Sequence, residues 1–340
     1  YNLYFRQMSM LRKLLFPLSL LFYIVQVFRN FLYDKNIIAN SKFNIPIISV
    51  GNLSVGGTGK TPMVEYLLAK YIEKYKIAIL SRGYKRKSKG FVKLNEKSEI
   101  SYVGDEPFIL KKCFPKSKVY VSENRVSGIK SILEDFDCDL IILDDAFQHR
   151  RLSVNLNIIL TNYSSPFYND YIMPVGNLRE PFSSYKRADI IIVSKCPENL
   201  SSDEMDEIKL KIKPKKNQKL FFSKIKYKDK ILGDRILKIS NLTGKEIVLI
   251  TGIAETKNIE KYFNDKKIKF KHLKYSDHHN YSKNDLNLIK KLSKNKNVLT
   301  TKKDYYKLKE NINNLFYLDI ETNFLKDELI FQEEINKLIN

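Results

Sequence analysis

The chain has 340 residues, enough for two cores, and 43% of them are hydrophobic, which excludes bulk disorder. Lysine and arginine total 60 against 38 acids, a formal net charge of +22. Such an excess attracts polyanions, but the lysines are diffuse (Lys85, Lys87, Lys89, Lys111, Lys112) and no nucleic-acid module accompanies them, so no nucleic-acid partner is expected. Cys113, Cys138 and Cys196 are far apart, lack metal-ligand spacing and read as small buried residues of a reducing compartment.

The opening residues 1–7 read as the protease-site remnant of an expression tag, with a native start at Met8 or Met10. Arg12 and Lys13 then precede an apolar run from Leu14 to Phe28, closed by Arg29. About 15 residues is short of the roughly 20 that a spanning helix needs. A signal peptide and a buried core helix are competing readings. The favoured one is an interfacial helix, with Phe16, Phe22, Phe28 and Phe31 for the acyl boundary and the flanking basic residues for headgroups.

The most informative stretch is Ile47 to Thr61, IISVGNLSVGGTGKT. A short apolar strand enters a glycine-rich loop, and Met63, Leu67, Leu68, Tyr71 and Ile72 follow at helical spacing. Strand, loop and helix are the context of a phosphate-binding loop. Residues Ser54, Val55, Gly56, Gly57, Thr58 and Gly59 would cradle phosphates through backbone N–H groups at the helix N-terminus. Lys60 would reach the β- and γ-phosphates of ATP and Thr61 would ligate Mg²⁺. Ser54 stands where the strict motif has glycine.

Further along, Lys76 to Leu80 reads as a second strand, ending in Ser81-Arg82-Gly83-Tyr84, and the basic stretch Lys85 to Lys97 as a loop. Val119 to Ser122 is a strand leading to Glu123-Asn124-Arg125 and a helix. Asp139 to Leu143 is an apolar strand that delivers Asp144 and Asp145, one of which would hold Mg²⁺. More strands are expected at Leu156 to Leu160, Asp189 to Val193, Glu246 to Ile250 and Asn297 to Thr300, with a linker or hairpin over 203–230. The alternation predicts an α/β fold. It comprises a P-loop NTPase-type parallel sheet with helices on both faces, a second, smaller α/β lobe, and the N-terminal helix. The boundaries drawn are 8–35, 36–152 and 153–340, with the last segment free to return to the first lobe. Gly104-Asp105-Glu106-Pro107 puts two carboxylates in a turn before a helix near Phe108, where helix capping is the plainer explanation. Asp277-His278 is either a turn or an oriented imidazole.

The ordered set of motifs resembles the tetraacyldisaccharide 4'-kinase family, the membrane-associated lipid A kinases of Gram-negative bacteria. The resemblance rests on Ser49 to Pro62, Ser81 to Tyr84, Gly104 to Pro107, Glu123 to Arg125, Asp144-Asp145-Ala146-Phe147-Gln148-His149, Gly176 to Pro181, Asp277-His278-His279 and Thr301-Lys302-Lys303-Asp304. A hydroxy residue at position 54 is the family's own version of the loop. The resemblance implies Mg²⁺-ATP-dependent phosphorylation of the 4'-hydroxyl of a tetraacylated glucosamine disaccharide 1-phosphate, the lipid A precursor. It implies Asp105 as base or orienter of that hydroxyl, assisted by His278, with Asp145, Glu180 and Thr61 in the metal environment. Glu106, Arg125, Gln148, His149 and Arg179 would line the phosphate and substrate region. It also implies peripheral attachment to the anionic cytoplasmic face of the inner membrane, with no obligate protein partner. The alternative is a partitioning-type ATPase switch, but such loops carry an extra lysine where this chain has Asn52-Leu53-Ser54.

Overall fold

The computed structural model describes residues 10–339; the tag-like segment 1–7 and a start at Met8 lie outside them. The first half contains α1 (Met10–Leu14), α2 (Phe16–Asp34), β1 (Ile47–Asn52), α3 (Lys60–Tyr71), β2 (Ile77–Ser81), β3 (Val92–Lys93), α4 (Ile100–Val103) and α5 (Asp105–Cys113). It continues with β4 (Lys118–Val121), α6 (Arg125–Asp135), β5 (Leu140–Asp144), β6 (Leu156–Asn162) and β7 (Ile190–Ser194). Then follow α7 (Ser202–Ile212), β8 (Lys219–Gly233), β9 (Leu237–Lys238), β10 (Glu246–Thr251), α8 (Lys257–Asp265) and β11 (Lys269–Lys274). The chain closes with α9 (Lys283–Leu292), β12 (Val298–Thr301), α10 (Lys302–Leu308), β13 (Leu315–Phe324) and α11 (Glu328–Ile339).

The strands run in the order β11-β10-β12-β13-β8-β7-β6-β1-β5-β2-β4-β3, with β9 beside β8. Strands β1, β2, β5, β6 and β7 are runs of Ile, Leu and Val buried on both faces, as parallel strands covered by helices on both sides require. β1 lies between β5 and β6, so the phosphate loop leaves the sheet beside the end of β5. Ligands of such sheets bind beyond the carboxyl ends of the strands.

Strand β8 departs from the sequence reading of 203–230 as linker or hairpin. Helix α7 comes first, started by a Ser201–Glu204 capping box and buried through Met205, Ile208 and Ile212. The fifteen residues of β8 then pair β7 over Lys219–Phe222 and β13 over Ser223–Gly233. Lys224, Lys226, Lys228 and Lys230 share one face at period two, so an edge-like polar face resembled a charge run. The boundary at 152/153 also falls inside one continuous sheet: β6 pairs β1 from Ile48↔Leu156 to Asn52↔Leu160, and β7 pairs β6. Both are apolar strands that need covering neighbours on each side. The polypeptide ends by returning to the first half, where Phe331 and Ile335 of α11 pack with Met63, Leu67 and Phe221.

Helix α2 is docked through its polar residues. Ser19 Oγ donates to the Ile172 carbonyl at 3.2 Å and accepts from Val175 N at 3.0 Å. Asn30 Nδ2 donates to Ser184 Oγ at 3.2 Å, and Arg150 Nη2 reaches Asp34 at 2.7 Å. Leu14, Phe16, Leu18, Leu21, Ile24, Phe28 and Phe31 meanwhile stay exposed, Phe28 at 61%. The helix has 19 residues, because it continues past Phe28 to Asp34, and is long and apolar enough to cross a membrane by length and composition. The core-helix reading fails, because only Ser19 and Tyr33 of this helix are buried.

Candidate active site

The loop between β1 and α3 is held from both ends. Gly59, with φ of 87°, precedes the first turn of α3, a conformation that glycine adopts without Cβ strain. Asn52 Nδ2 donates to the Ser54 carbonyl at 2.7 Å and to Thr58 Oγ1 at 2.9 Å. Val55 N donates to the Asn177 carbonyl at 2.8 Å, and Ser194 Oγ to the Thr58 carbonyl at 2.7 Å. Residues 55–57 are the exposed apex, while Ser54 and Thr58 are buried. A rim of N–H groups at a helix N-terminus thus faces solvent, where the helix dipole favours an anion.

Asp144 and Asp145 leave β5 in different environments. Asp144 is buried; Ser81 Oγ donates to its Oδ2 at 3.3 Å, and its Oδ1 has no partner. Burial, and then the adjacent Asp145 charge, push its carboxyl up to about 7. Asp145 adopts φ of 54° and accepts from Arg179 Nη1 at 2.8 and 2.9 Å, with Lys60 Nζ 3.6 Å away. Burial opposes its ionisation, but Lys60 and Arg179 hold it below the usual carboxylate range. An orphaned buried carboxylate oxygen beside a phosphate loop fits a hard cation, and the residues that would hold Mg²⁺ are Asp144, Asp145 and Thr61. Among the described residues, no group of three or more His, Cys, Asp or Glu is placed to hold a metal ion by itself. Arg125 is buried behind this pair, donating to the carbonyls of Ser122, Glu123 and Asp145 at 3.2, 3.1 and 3.2 Å. Burial lowers its guanidinium to about 10, so it remains a cation at neutral pH.

The two motifs expected to face one another do meet. His278 Nδ1 lies 2.9 Å from Asp105 Oδ2. The first helical turn of α5 holds Asp105 itself, so the helix starts three residues before Phe108 and both carboxylates lie inside it. Gly104, with φ of 98°, makes this possible, since a Cβ there would sit 3.1 Å from Gly83 Cα. The imidazole is bracketed, with Nε2 3.4 Å from Glu106 Oε1, and Tyr84 packs edge-on at 5.0 Å. His278 has φ of 59°, a left-handed conformation uncommon for such a residue and frequent at functional sites.

Helix α10 supplies what the sequence reading missed. Lys307 Nζ donates to Asp105 Oδ2 at 2.7 Å and to the His279 carbonyl at 3.2 Å. Lys303 Nζ lies 3.4 Å from Glu106 and 3.1 Å from Asp277. One turn separates the two lysines, which a helix places on one face. Burial opposes the Asp105 charge, but His278, Lys307 and Lys303 hold its carboxyl down to about 2. The rest of the Thr301–Asp304 block positions the helix. Lys302 binds Glu65 of α3 at 3.0 Å and Asp319 of β13 at 2.6 Å, while Asp304 accepts from Gly252 N and the Tyr281 hydroxyl at 2.8 and 3.0 Å. Of the two lysines that reach Asp105 and Glu106, Lys303 alone had a sequence signal, its membership of that block.

Other expected residues have different neighbours. Glu180 is fully buried and pairs with Arg187 at 2.6 Å and Arg29 at 3.8 Å, so no contact brings it to Asp144 or Asp145. Glu106 contacts His278 and Lys303, and Gln148 Nε2 donates to the Asn52 carbonyl at 2.8 Å. His149 Nε2 is buried without a partner; burial and then Arg125, Arg151, Arg29 and Arg82 push its imidazole down to about 4. His279 stacks on Tyr275 and pairs with Asp285 at 3.1 Å instead of facing Asp105. Lys195, at the end of β7, pairs with Glu255 from the loop after β10 at 3.0 Å. Its Nζ is 3.8 Å from where a Cβ on Gly57 would lie, a junction no motif announced.

The model of the LpxK family, tetraacyldisaccharide-1-P 4'-kinase, matches residues 11–340. The chain belongs to this family. The Flavobacterium johnsoniae tetraacyldisaccharide 4'-kinase is 41% identical over 336 residues, covering 98% of each chain. That of Flavobacterium psychrophilum is 42% identical over 334 residues, covering 96% of this chain and 97% of the relative. The crystal structure of Aquifex aeolicus LpxK, in complex with ATP, superposes with a TM-score of 0.80 at 32% identity, covering 97% of this chain and all of the other. Membership in a kinase family sets aside the partitioning-switch alternative. Ser54 is seated here by the Asn52 side chain, which donates to its carbonyl at 2.7 Å.

Proposed function

We propose that this kinase transfers the γ-phosphoryl group of ATP to the 4'-hydroxyl of a tetraacylated glucosamine disaccharide 1-phosphate. The reaction takes place at the cytoplasmic face of the bacterial inner membrane. The observation that carries the reading is the junction of Asp105 and His278, 173 positions apart in sequence and 2.9 Å apart beside the phosphate loop. Glu106, next in sequence, is near enough that its charge contributes to raising Asp144, which ties the acidic turn to the metal-side carboxylate.

Phosphoryl transfer is mostly positioning and charge neutralisation. The N–H groups of Gly56, Gly57 and Gly59 would receive the phosphates, and Lys60 would exchange Asp145 for them. Asp144, Asp145 and Thr61 would hold Mg²⁺, which would supply positive charge against the negative charge developing on the phosphates. Asp105, ionised at neutral pH, would accept the hydroxyl proton's hydrogen bond and orient its oxygen for in-line attack. His278 and Lys307 fix that carboxylate, and the proton passes to it as the O–H bond weakens late in a loose transition state. Arg125 and Arg179 would supply positive charge around the transferred group. The exposed apolar side chains of α2, flanked by Arg12 and Lys13, support peripheral attachment to an anionic bilayer, where the acyl chains of the acceptor reside. The two working lobes are best divided within β8 near Ser223, where its pairing passes from β7 to β13.

The direct test is to incubate the protein with Mg²⁺, radiolabelled ATP and the disaccharide 1-phosphate in detergent. A labelled lipid, with label on the 4'-oxygen, is expected; free phosphate without labelled lipid would overturn the reading.

A further inference from the structure

We infer that Arg29 is a positioning residue that couples the lipid-facing helix to the phosphate loop, so that α2 shapes nucleotide binding as well as holding the protein at the membrane. The inference rests on the kinase reading for its nucleotide.

Two routes of contact run from α2 to the loop. In the first, Arg29 Nη2 donates to the Gln148 carbonyl at 2.8 Å, and Gln148 Nε2 donates to the Asn52 carbonyl at 2.8 Å. Asn52 ends β1, and its side chain holds both the Ser54 carbonyl and Thr58 Oγ1. Arg29 is thus three side chains from the phosphate-binding turn. In the second, α2 grips the segment 172–187 at separate points. Ser19 binds Ile172 and Val175, Asn30 binds Ser184 and Arg187, and Arg29 Nη1 faces the fully buried Glu180 at 3.8 Å. That segment pairs with the loop through Val55 N to the Asn177 carbonyl at 2.8 Å and Arg179 N to the Leu53 carbonyl at 2.7 Å. Arg179 also carries Asp145 in two hydrogen bonds.

Arg29 is where the routes join, because one planar guanidinium donates to the Gln148 carbonyl and places its other nitrogen 3.8 Å from Glu180 Oε1, a buried oxygen with no hydrogen-bond partner. Glu180 has no accessible surface, and Arg187 and Arg29 are the cations beside it. Loss of Arg29 leaves Glu180 Oε1 facing no cation and frees Gln148 from one side. The expected consequence falls on the loop backbone and on Asp145 rather than on the exposed lipid face, which Arg29 does not form. A lysine is a point donor and can serve one of the two acceptors, so Arg29→Lys restores only part of the geometry.

The experiment uses the full-length protein in mixed micelles with ATP and the disaccharide 1-phosphate, together with equilibrium ATP binding measured without acceptor. Arg29→Ala is expected to raise both KM and Kd for ATP about tenfold, the scale of one lost charge-assisted hydrogen bond, with KM for the lipid within about twofold. Arg29→Lys should fall between wild type and alanine. Phe28→Ser, which alters an exposed apolar neighbour, should weaken lipid KM and vesicle binding while leaving the ATP Kd unchanged. Unchanged ATP Kd in folded Arg29→Ala or, should that variant not fold, in folded Arg29→Lys overturns the coupling. Loss of lipid KM alone in either variant also overturns it, leaving Arg29 an anchor. If wild type labels no lipid yet Arg29→Ala still loses ATP affinity, the kinase reading fails and the coupling stands.

Discussion

Asp105→Asn keeps the side chain's size and removes its charge, which isolates what the carboxylate contributes. The wild-type Oδ2 lies 2.9 Å from His278 Nδ1 and 2.7 Å from Lys307 Nζ, and all three groups are largely shielded from water. The amide oxygen in the place of Oδ2 can still accept from both partners, but it carries no charge, and an NH₂ donor stands where Oδ1 would accept from the substrate hydroxyl. A positioned acid–base group contributes about 10²- to 10⁴-fold, so kcat should fall by that range, equivalent to about 3 to 5 kcal/mol of barrier. KM for ATP should change by less than about threefold, because none of the Asp105 partners belongs to the loop 53–59. His278→Ala should cost a similar factor. The double variant should lie within about fivefold of either single one, because groups acting as a unit are not additive. Steady-state labelling of the lipid at saturating ATP, with circular dichroism to show folding, measures all three. A folded Asp105→Asn protein with more than about a tenth of wild-type kcat refutes the role. So does a double variant whose loss is the product of the singles. The pH profile adds an independent check. With its carboxyl held down to about 2, Asp105 is ionised throughout the neutral range and should contribute no acid limb above about pH 4.

Lys60→Ala should reduce turnover by at least about 10²-fold, since the cation at the β- and γ-phosphates is gone, whereas Thr61→Ala should chiefly raise the Mg²⁺ concentration needed; rates against Mg²⁺ at fixed ATP separate them. Deleting residues up to Phe31 should reduce co-sedimentation with anionic vesicles, and equal sedimentation of the truncated and full-length proteins would count against the interfacial helix. His149 has its imidazole lowered from 6.5 to about 4, chiefly by burial, so the unfolded chain binds the extra proton first. Its contribution to stability is complete above about pH 6.5 and is lost as pH falls towards 4, so His149→Gln should flatten that part of the melting-temperature profile; an unchanged slope would refute it.

Local chemistry made the nucleotide half legible. Strand β1, the glycine loop and the first turn of α3 form from neighbours in sequence, so Ser54 to Thr61 could be placed without knowing anything distant. The same holds for β5, whose unbroken apolar run must be buried on both faces and whose two aspartates must therefore emerge at its end. The apolar run of α2 likewise announced a helix. Partner choice was not legible, because it depends on residues more than a hundred positions apart. Nothing adjacent to Glu180 says that Arg29 will face it, and nothing in a lysine-rich chain marks Lys307 as the one that reaches Asp105. The family blocks brought Asp105 and His278 into one hypothesis, but only the packing of α10 against α5, with Lys302 held between Glu65 and Asp319, sets their contact. Where the lobes divide was not legible for a related reason. Strands β6 and β7 look the same in sequence whichever sheet they join, and hydrogen bonding across 100 residues to β1 decides it. Periodicity reports which face of an element is buried; which other element buries it is settled by tertiary complementarity of shape and charge.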